Sequence, residues 1–294
     1  MEINKLGHGV VWVVIPTFNR CDILSSCLQD LLQQDYQNTH IIVVDDDSSD
    51  GTLEMLRAKF PSITVLKGDG NRWWSGAMNL GLGWIMANAT KDDYLLSFND
   101  DVRVDRGYLK TLVTAAKCVS PFSIIGSVAV DSADTSKVVY CGTCIDWRRG
   151  LWKGLSKSQL PAGKSLIPTD SLPGRGALIP IDVVAKIGFY NDRRFPQYFG
   201  DEDFALRARA AGAELYVSRD AIVKSHVHLT GTGRHTQTLS SFCRSLWSIR
   251  SPNQLSRRFA FISSHCPPIY KIQFWLLDLI KVTTAYWRRK EIRT

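Results

Sequence analysis

The stretch Ser97-Phe98-Asn99-Asp100-Asp101-Val102 sets two adjacent carboxylates and an amide directly after the apolar run Tyr94-Leu95-Leu96. Acids at the end of a buried strand are costly beside apolar surface unless a positive charge compensates them. A divalent cation carrying a phosphorylated ligand would do so. A solvated turn would avoid the cost altogether, since Asp and Asn are common in turns. Further along, Gly200-Asp201-Glu202-Asp203-Phe204 places three acids at the head of a helical pattern. A carboxylate there either complements the helix dipole or acts as a general base on a hydroxyl that attacks an activated carbon. His226-Val227-His228 puts two imidazoles on one side of a strand. Such a histidine is either structural or a further ligand of a cation site. Cys141-Gly142-Thr143-Cys144 is a lone C-x-x-C, with no second pair for zinc and no helical pattern after it.

The elements that must position these groups follow from hydrophobic period. Val10 to Ile15 is a short, β-branched run of the kind buried on both faces of a parallel sheet. Ile23, Leu24, Cys27, Leu28, Leu31 and Leu32 then fall at helical spacing. Further strands are expected at 40–44, 63–66 and 93–98, with helices at 53–59 and 75–87 between them. This β-α-β-α-β-α-β order with short connections predicts an α/β fold built on a doubly wound, mostly parallel sheet. Ligands of such sheets sit beyond the carboxyl ends of the strands. The polar clusters lie at those ends: Thr17 and Asn19, Asp45 to Asp47, Gly68 to Asn71, and Asn99 to Asp101. Four polar exits on one edge exceed what turns require, and they favour a metal–diphosphate site at Asn99 to Asp101.

Downstream, strands are expected at 123–130 and 137–145, and Leu151 to Pro173 reads as a long polar loop or flap. Leu172 to Pro180 is an apolar run broken by glycines; Ile181 to Ile187 is a short helix stopped by Gly188. A helix over Asp201–Ala211 and two late strands, 215–217 and 221–227, complete the body.

At 294 residues, 45% hydrophobic and 22% charged, the chain predicts one large domain with an appendage. The net charge of +8 lies entirely in Ser240 to Thr294, where ten Lys/Arg face two acids. The expected division is therefore a body at 1–239 and a basic helical extension at 240–294. Within the body the expected halves are 8–104, which carries the polar strand exits, and 105–239. A basic tail on a neutral body calls for an anionic surface. Ile269, Ile272, Trp275, Leu276, Leu279 and Ile280 share one face of a helix over 269–287, which ends in Trp287-Arg288-Arg289-Lys290. Such a helix suits a membrane interface; packing on the body or on a second subunit are the alternatives.

Seven cysteines without a disulfide spacing predict a reduced, cytoplasmic protein. No signal-peptide pattern and no run long enough to span a bilayer stand out. G-x-G-x-x-G and G-x-x-x-x-G-K-[ST] are absent after the first strand, and G-x-S-x-G is absent throughout. Dinucleotide dehydrogenases, P-loop enzymes and α/β-hydrolases are thereby disfavoured. A nucleotide site of carboxylates and a metal remains.

The motifs VIPTFNR (Val14–Arg20), VVDDDSSDGT (Val43–Thr52), N-x4-G-x2-N-x-G (Asn71, Gly76, Asn79, Gly81) and FNDDV (Phe98–Val102) come first. LPGRGALIP (Leu172–Pro180), GDEDFALRARAAG (Gly200–Gly212) and SHVH (Ser225–His228) follow. In this order, over residues 10–230, the chain resembles a family-2 glycosyltransferase of the inverting GT-A fold, in a bacterial rhamnosyltransferase-like branch.

The resemblance implies that Pro16, Thr17, Asn19 and Arg20 line a nucleotide pocket. Asp46 or Asp47 would read the base or ribose with Asp45 close by, and Asn71, Gly76, Asn79 and Asp100 belong to the same pocket. Asp101 would ligate Mg2+ or Mn2+ from a D-x-D position whose first residue is here Asn99. His226 would be a further ligand, with His228 the alternative. Asp201, six residues before Arg207, would be the base, with Asp203 its rival. Trp73 and Trp74 would line the donor sugar or simply pack, and Arg175 and Gly176 sit in a loop suited to close approach to substrate.

The implied reaction is metal-dependent hexosyl or deoxyhexosyl transfer from a UDP- or dTDP-sugar to a glycan or lipid-linked glycan, in surface polysaccharide synthesis. The implied enzyme binds no nucleic acid, lies on the inner face of the cytoplasmic membrane through its tail, and has the option of a homodimer. Two other classes compete. A nucleotidyltransferase lacks here its usual Gly- and Lys/Arg-rich first loop. A non-catalytic binder of the same fold has no need of a positioned base.

Overall fold

A computed structural model describes residues 9–155, 163–226 and 238–291, with side chains described through 284. The first half alternates strictly: β1 (Val11–Thr17), α1 (Cys21–Leu32), β2 (Thr39–Asp45), α2 (Thr52–Lys59), β3 (Thr64–Lys67), α3 (Trp73–Met86) and β4 (Tyr94–Ser97). β3, β2, β1 and β4 lie side by side and pair in parallel. The residues of β1 serve both faces of the sheet. Val11, Val13 and Ile15 pack with Leu24 and Leu28 of α1, while Trp12 and Val14 pack with Met78 and Leu82 of α3. A strand covered on both sides has no polar face, which is why the run is continuously apolar.

The second half comprises β5 (Val102–Val104), α4 (Tyr108–Lys117), β6 (Ser123–Asp131), β7 (Val138–Tyr140), β8 (Thr143–Asp146), β9 (Leu151–Gly154), β10 (Leu166–Pro168), β11 (Ala177–Pro180), α5 (Ile181–Ile187), α6 (Gly200–Ala210) and β12 (Glu214–Ser225). It extends the same sheet in the order β10-β12-β6-β11-β4-β1-β2-β3, with β5 on β12 and β7 on β6. β12 runs parallel to β6, whereas β11 is antiparallel to both β4 and β6. β8 and β9 form a separate hairpin. The extension adds α7 (Leu239–Ser245), α8 (Leu255–His265), a 3₁₀ turn at Pro268–Tyr270, and α9 (Lys271–Glu291).

Three expectations need correction. The segment expected as a flap carries β9 and β10, and β10 joins the main sheet against β12; an edge strand of three residues is too short to show a period. The expected strand at 137–145 is two strands broken at Gly142, whose φ of +125° turns the chain. The two late strands are one, β12, whose register on β6 slips between Ser218 and Ile222. α5 does stop at Gly188, with φ +78°.

Candidate active site

The polar exits of the first four strands are tied to one another by side chains. From β1, Thr17 Oγ1 donates to Asp100 Oδ2 at 2.9 Å, and Arg20 Nη1 donates to Asp100 Oδ1 at 2.8 Å and to Asp101 Oδ2 at 3.4 Å. Asn19, at φ +52°, accepts from the Ser49 backbone N–H at 2.8 Å and donates its own backbone N–H to Ser48 Oγ at 2.8 Å. The loop after β1 is thereby fastened to the loop after β2. Asp46 fastens that second loop to the next: its two oxygens accept from the backbone N–H groups of Gly70 (3.0 Å), Arg72 (2.9 Å) and Trp73 (3.1 Å). Asp45 Oδ1 accepts from the Ser48 N–H at 3.1 Å. Asp47, at φ +63°, remains outermost in an exposed pair with Lys67 at 3.0 Å.

Asp100 and Asp101 are 5% and 4% exposed, so both carboxylates sit where an uncompensated charge would be expensive. Burial pushes the Asp100 carboxyl up to about 6; the Arg20 charge and the bonds from Thr17 and Arg20 oppose the rise, and the Asp101 charge adds to it. Among the described residues, Asp101 Oδ1 is buried and has no hydrogen-bond partner. The backbone N–H of His226 donates to the Asp101 carbonyl at 3.2 Å, because Ser225 pairs with Val102 across β12 and β5. His226 Nδ1 meets Ser132 Oγ at 2.9 Å. His228 lies outside the described residues.

A second group gathers around the loop before β11. Ser97 Oγ donates to the Gly174 carbonyl at 2.9 Å, and the Gly176 N–H donates to the Ser97 carbonyl at 2.9 Å. The Gly174 N–H in turn donates to Asp201 Oδ2 at 2.7 Å, and the Glu202 N–H to Asp201 Oδ1 at 3.0 Å. Trp74 lies against Gly174, where a Cβ would strike the indole, and its Nε1 donates to Asn99 Oδ1 at 3.1 Å. Gly176, at φ +79°, is hemmed in by Tyr108 and Ser127. Arg175 stands between these two glycines; among the described residues its buried Nε has no partner. One connected set of contacts thus runs from Asn99 through Trp74 and Gly174 to Asp201.

The chain matches the model of glycosyl transferase family 2 over residues 12–150. It is 30% identical over 230 residues to the galactofuranosyltransferase GlfT1 of Mycolicibacterium smegmatis, covering 76% of this chain and 72% of that relative. The chain belongs to glycosyltransferase family 2. Among solved structures, it superposes on the mannosyltransferase PcManGT of Pyrobaculum calidifontis, bound to GDP-Man and Mn2+, with a TM-score of 0.55 and 16% identity, covering 97% of this chain and 78% of that one. GalNAc-T7, solved with UDP, GalNAc and Mn2+, superposes with a TM-score of 0.63 and 15% identity over 93% of this chain and 55% of that one. At such identities these likenesses establish the GT-A fold.

Within that family fold the remaining site residues divide by what their side chains touch. Asp203 has both oxygens committed, Oδ2 to Arg207 Nε at 2.8 Å and Oδ1 to His265 Nε2 at 2.9 Å. Burial raises its carboxyl, but the bonds from His265 and Arg207 outweigh that and hold it below the usual range. Asn79 spends both amide atoms on the backbone of Tyr190, at 2.9 Å each. Asn71 is exposed in a turn, with its N–H on Asp69 Oδ1 at 3.1 Å. Gly76 leaves space against Arg72 and Asp192, and Pro16 lies within β1 opposite Val44.

Residues not singled out from the sequence also join the cluster. Glu202, within the acid triplet of α6, adjoins Asp201, and its carboxyl is driven well above the usual range, first by burial and then by the Asp201 charge. Two more come from outside the motifs. Gln197 accepts the Trp74 N–H at 3.3 Å. Arg250 of the extension lies over the Trp73 ring, 5.7 Å from its centroid. These contacts span more than a hundred residues of chain, and no local spacing signals them.

The donor set fits a divalent cation. Among the described residues no group of three His, Cys, Asp or Glu side chains is placed to hold a metal ion. Mg2+ and its analogues are commonly held by only one or two carboxylates plus substrate phosphates. A buried carboxylate oxygen without a partner, Asp101 Oδ1, is the atom such an ion would satisfy.

Proposed function

We propose that this glycosyltransferase moves a sugar from a UDP- or dTDP-sugar to a hydroxyl of a glycan or lipid-linked glycan, with inversion, in bacterial surface polysaccharide synthesis. The observation that carries the reading is a pair of buried polar atoms without partners among the described residues, Asp101 Oδ1 and Arg175 Nε, on two loops that meet at Ser97. One is negative and one positive, as a cation–diphosphate complex requires.

Asp201 takes the proton of the acceptor hydroxyl, whose oxygen bonds to the anomeric carbon as the bond from that carbon to the diphosphate oxygen breaks. One displacement inverts the anomeric centre. Asp203 is left with a structural role, because the Arg207 guanidinium and His265 hold it and keep its carboxyl below the usual range, whereas Asp201 is met by backbone N–H groups. Asp101, with Asp100 beside it, would hold Mg2+ or Mn2+, which would supply positive charge to the departing diphosphate, while His226 adjoins Asp101 through its backbone N–H. Arg20 and Thr17 orient the carboxylates, and Arg175 donates to the donor. Asp47 is the acid still accessible to a base or ribose, while Asp45, Asp46 and Asn79 shape the loops around it. Trp74 packs between Asn99 and Gly174, and Trp73, held by its N–H on Asp46 and covered by Arg250, would line the donor sugar. Similarity to a galactofuranosyltransferase supports trying galactofuranosyl transfer first, and the motif resemblance supports trying rhamnosyl transfer next.

The test is a screen of nucleotide-sugars for release of nucleoside diphosphate, with and without Mn2+. One donor class should turn over, Mn2+ should raise the rate, and Asp101→Asn should cut it by about a hundredfold. Release of pyrophosphate from a nucleoside triphosphate instead would identify a nucleotidyltransferase. Binding without any turnover would leave a non-catalytic binder.

A further inference from the structure

Most of the apolar stripe read from the sequence of the last helix lies away from the face by which that helix packs, although Trp275 of the stripe is partly covered beside Phe274. α9 packs inward through Phe274, Asp278 and Val282, all buried. Asp278 meets Arg258 of α8 through a 2.6 Å hydrogen bond from Arg258 Nε. On the opposite side of the same helix Ile272 is 77% exposed, Leu276 48% and Ile280 54%, and Ile269 just before it is 80% exposed. At 100° per residue these positions stand roughly 160° from the buried ones. The helix is therefore apolar on two opposed faces, and the fold uses only one.

The edges of the outer stripe are also particular. On one side Trp275 stacks edge-on with the exposed Phe259 of α8, centroids 5.9 Å apart. On the other side stands the β8–β9 turn, where Gln273 donates to the Arg148 carbonyl at 3.0 Å and Lys281 to that of Gly150. This brings exposed Arg148 and Arg149 alongside the stripe. The helix continues to Glu291 through Arg288, Arg289 and Lys290, in the segment that carries the whole +8 of the chain.

We infer that the outward face of α9 docks on an anionic lipid bilayer, lying in the plane of the interface with Ile272, Leu276 and Ile280 among the acyl chains. No helix among the described residues is long and apolar enough to cross a membrane, so the helix lies on it. Aliphatic side chains enter the acyl boundary, aromatics sit at its rim, and basic residues meet the headgroups. A second copy is a poorer occupant, because a two-fold pairing of this face would bring two basic extensions together. The inference deepens the lipid-linked acceptor of the proposed function and stands independently of the donor chemistry.

The experiment is co-sedimentation of the full chain with phosphatidylglycerol-containing vesicles and with pure phosphatidylcholine vesicles, alongside sedimentation velocity without lipid. The wild type should bind the anionic vesicles preferentially, and added salt should weaken that binding. The triple variant Ile272→Ser, Leu276→Ser, Ile280→Ser should lose about tenfold or more in vesicle affinity. Arg148→Gln with Arg149→Gln should lose about tenfold on anionic vesicles alone. Donor turnover and the thermal midpoint should stay unchanged in the triple variant, whose altered side chains are exposed. Binding indifferent to lipid charge, or a triple variant that binds like wild type, overturns the inference. So does a wild-type dimer that the triple variant converts to monomer. If donor turnover is missing even in wild type, the proposed function fails while the vesicle result still decides the surface.

Discussion

The strand exits of the first half and the C-terminal extension are both polar surfaces laid over apolar elements, yet they are built differently. In the body, Asp46 at a first-half strand exit collects three backbone N–H groups, and Asp201 at the head of α6 collects two. Backbone donors cannot swing away, so these carboxylates are fixed as firmly as the sheet that carries the loops. The extension is held chiefly by side chains: Asp203 to His265, Arg258 to Asp278, and Phe261 among Phe195, Phe199 and Trp152. A site for chemistry needs fixed groups, and a peripheral cover needs only to stay near. Substitutions should therefore cost catalysis in the first region and its loops, and mainly stability or surface binding in the second.

The largest expected effect tests the catalytic side. Asp201→Asn keeps an acceptor oxygen for the Gly174 N–H, gives up the bond from the Glu202 N–H and removes the proposed base. It should lower kcat by about a thousandfold, with donor affinity near wild type and a stability loss of only about 1 kcal/mol. Stopped-flow or steady-state transfer assays beside donor titration measure both. Near-normal kcat would remove Asp201 from its role and break the contrast at its centre.

Gly174→Ala probes how the two groups of the site are joined. The added Cβ meets the ring of Trp74, which is itself bonded to Asn99. Neither neighbour yields easily, so a stability loss of about 1–3 kcal/mol is expected. Transfer should fall with it, because the same residue's N–H holds Asp201. Calorimetry and kcat should move together; unaltered transfer at a lowered midpoint would show that the loop does not set the base.

Much of this arrangement is written in short spacings. β1 is an unbroken apolar run because both its faces are covered, and the acids at strand ends announce the loops that side chains tie together. The division of labour among those acids is another matter. Asp46 and Asp47 are neighbours in sequence, but one is claimed by N–H groups 24 to 27 residues away and the other faces solvent. Asp201 and Asp203 likewise look equivalent until His265 arrives from the extension, 62 residues on. Period identifies the stripe on α9 but cannot say which way it points, since Phe274 and Val282 make a second, narrower face that proves to be the packed one. β10 escapes notice because three residues carry no period.

On the extension's side, His265→Ala should cost about 1–2 kcal/mol, the worth of one hydrogen bond to a buried carboxylate. Arg207 still pairs with Asp203, so the fold should survive. The pH dependence has a definite sign. Asp203 has its pKa lowered in the folded protein. Its contribution is full above the unfolded value of about 3.9 and disappears as pH falls through the lowered folded value. The stability gap between wild type and variant, followed by denaturant unfolding, should be steady near neutrality and narrow only in acid. A variant that instead loses kcat as strongly as Asp201→Asn would merge the two regions into one catalytic unit.

The smallest expected effect lies where the regions touch. Arg250 comes from the extension, and Trp73 opens α3 at φ +54° beside the Asp46 loop. A guanidinium over an indole at a partly exposed position is worth about 0.5–1 kcal/mol. If the extension merely covers the site, Arg250→Ala should raise the donor KM by about two- to fivefold and leave kcat alone, because only ground-state contact is lost. Arg250→Lys should recover part of that loss, since a lysine keeps the charge but not the planar stack. A fall in kcat at unchanged KM would mean that the arginine reaches the reacting diphosphate only in the transition state. The extension would then belong with the strand exits, as part of the chemistry.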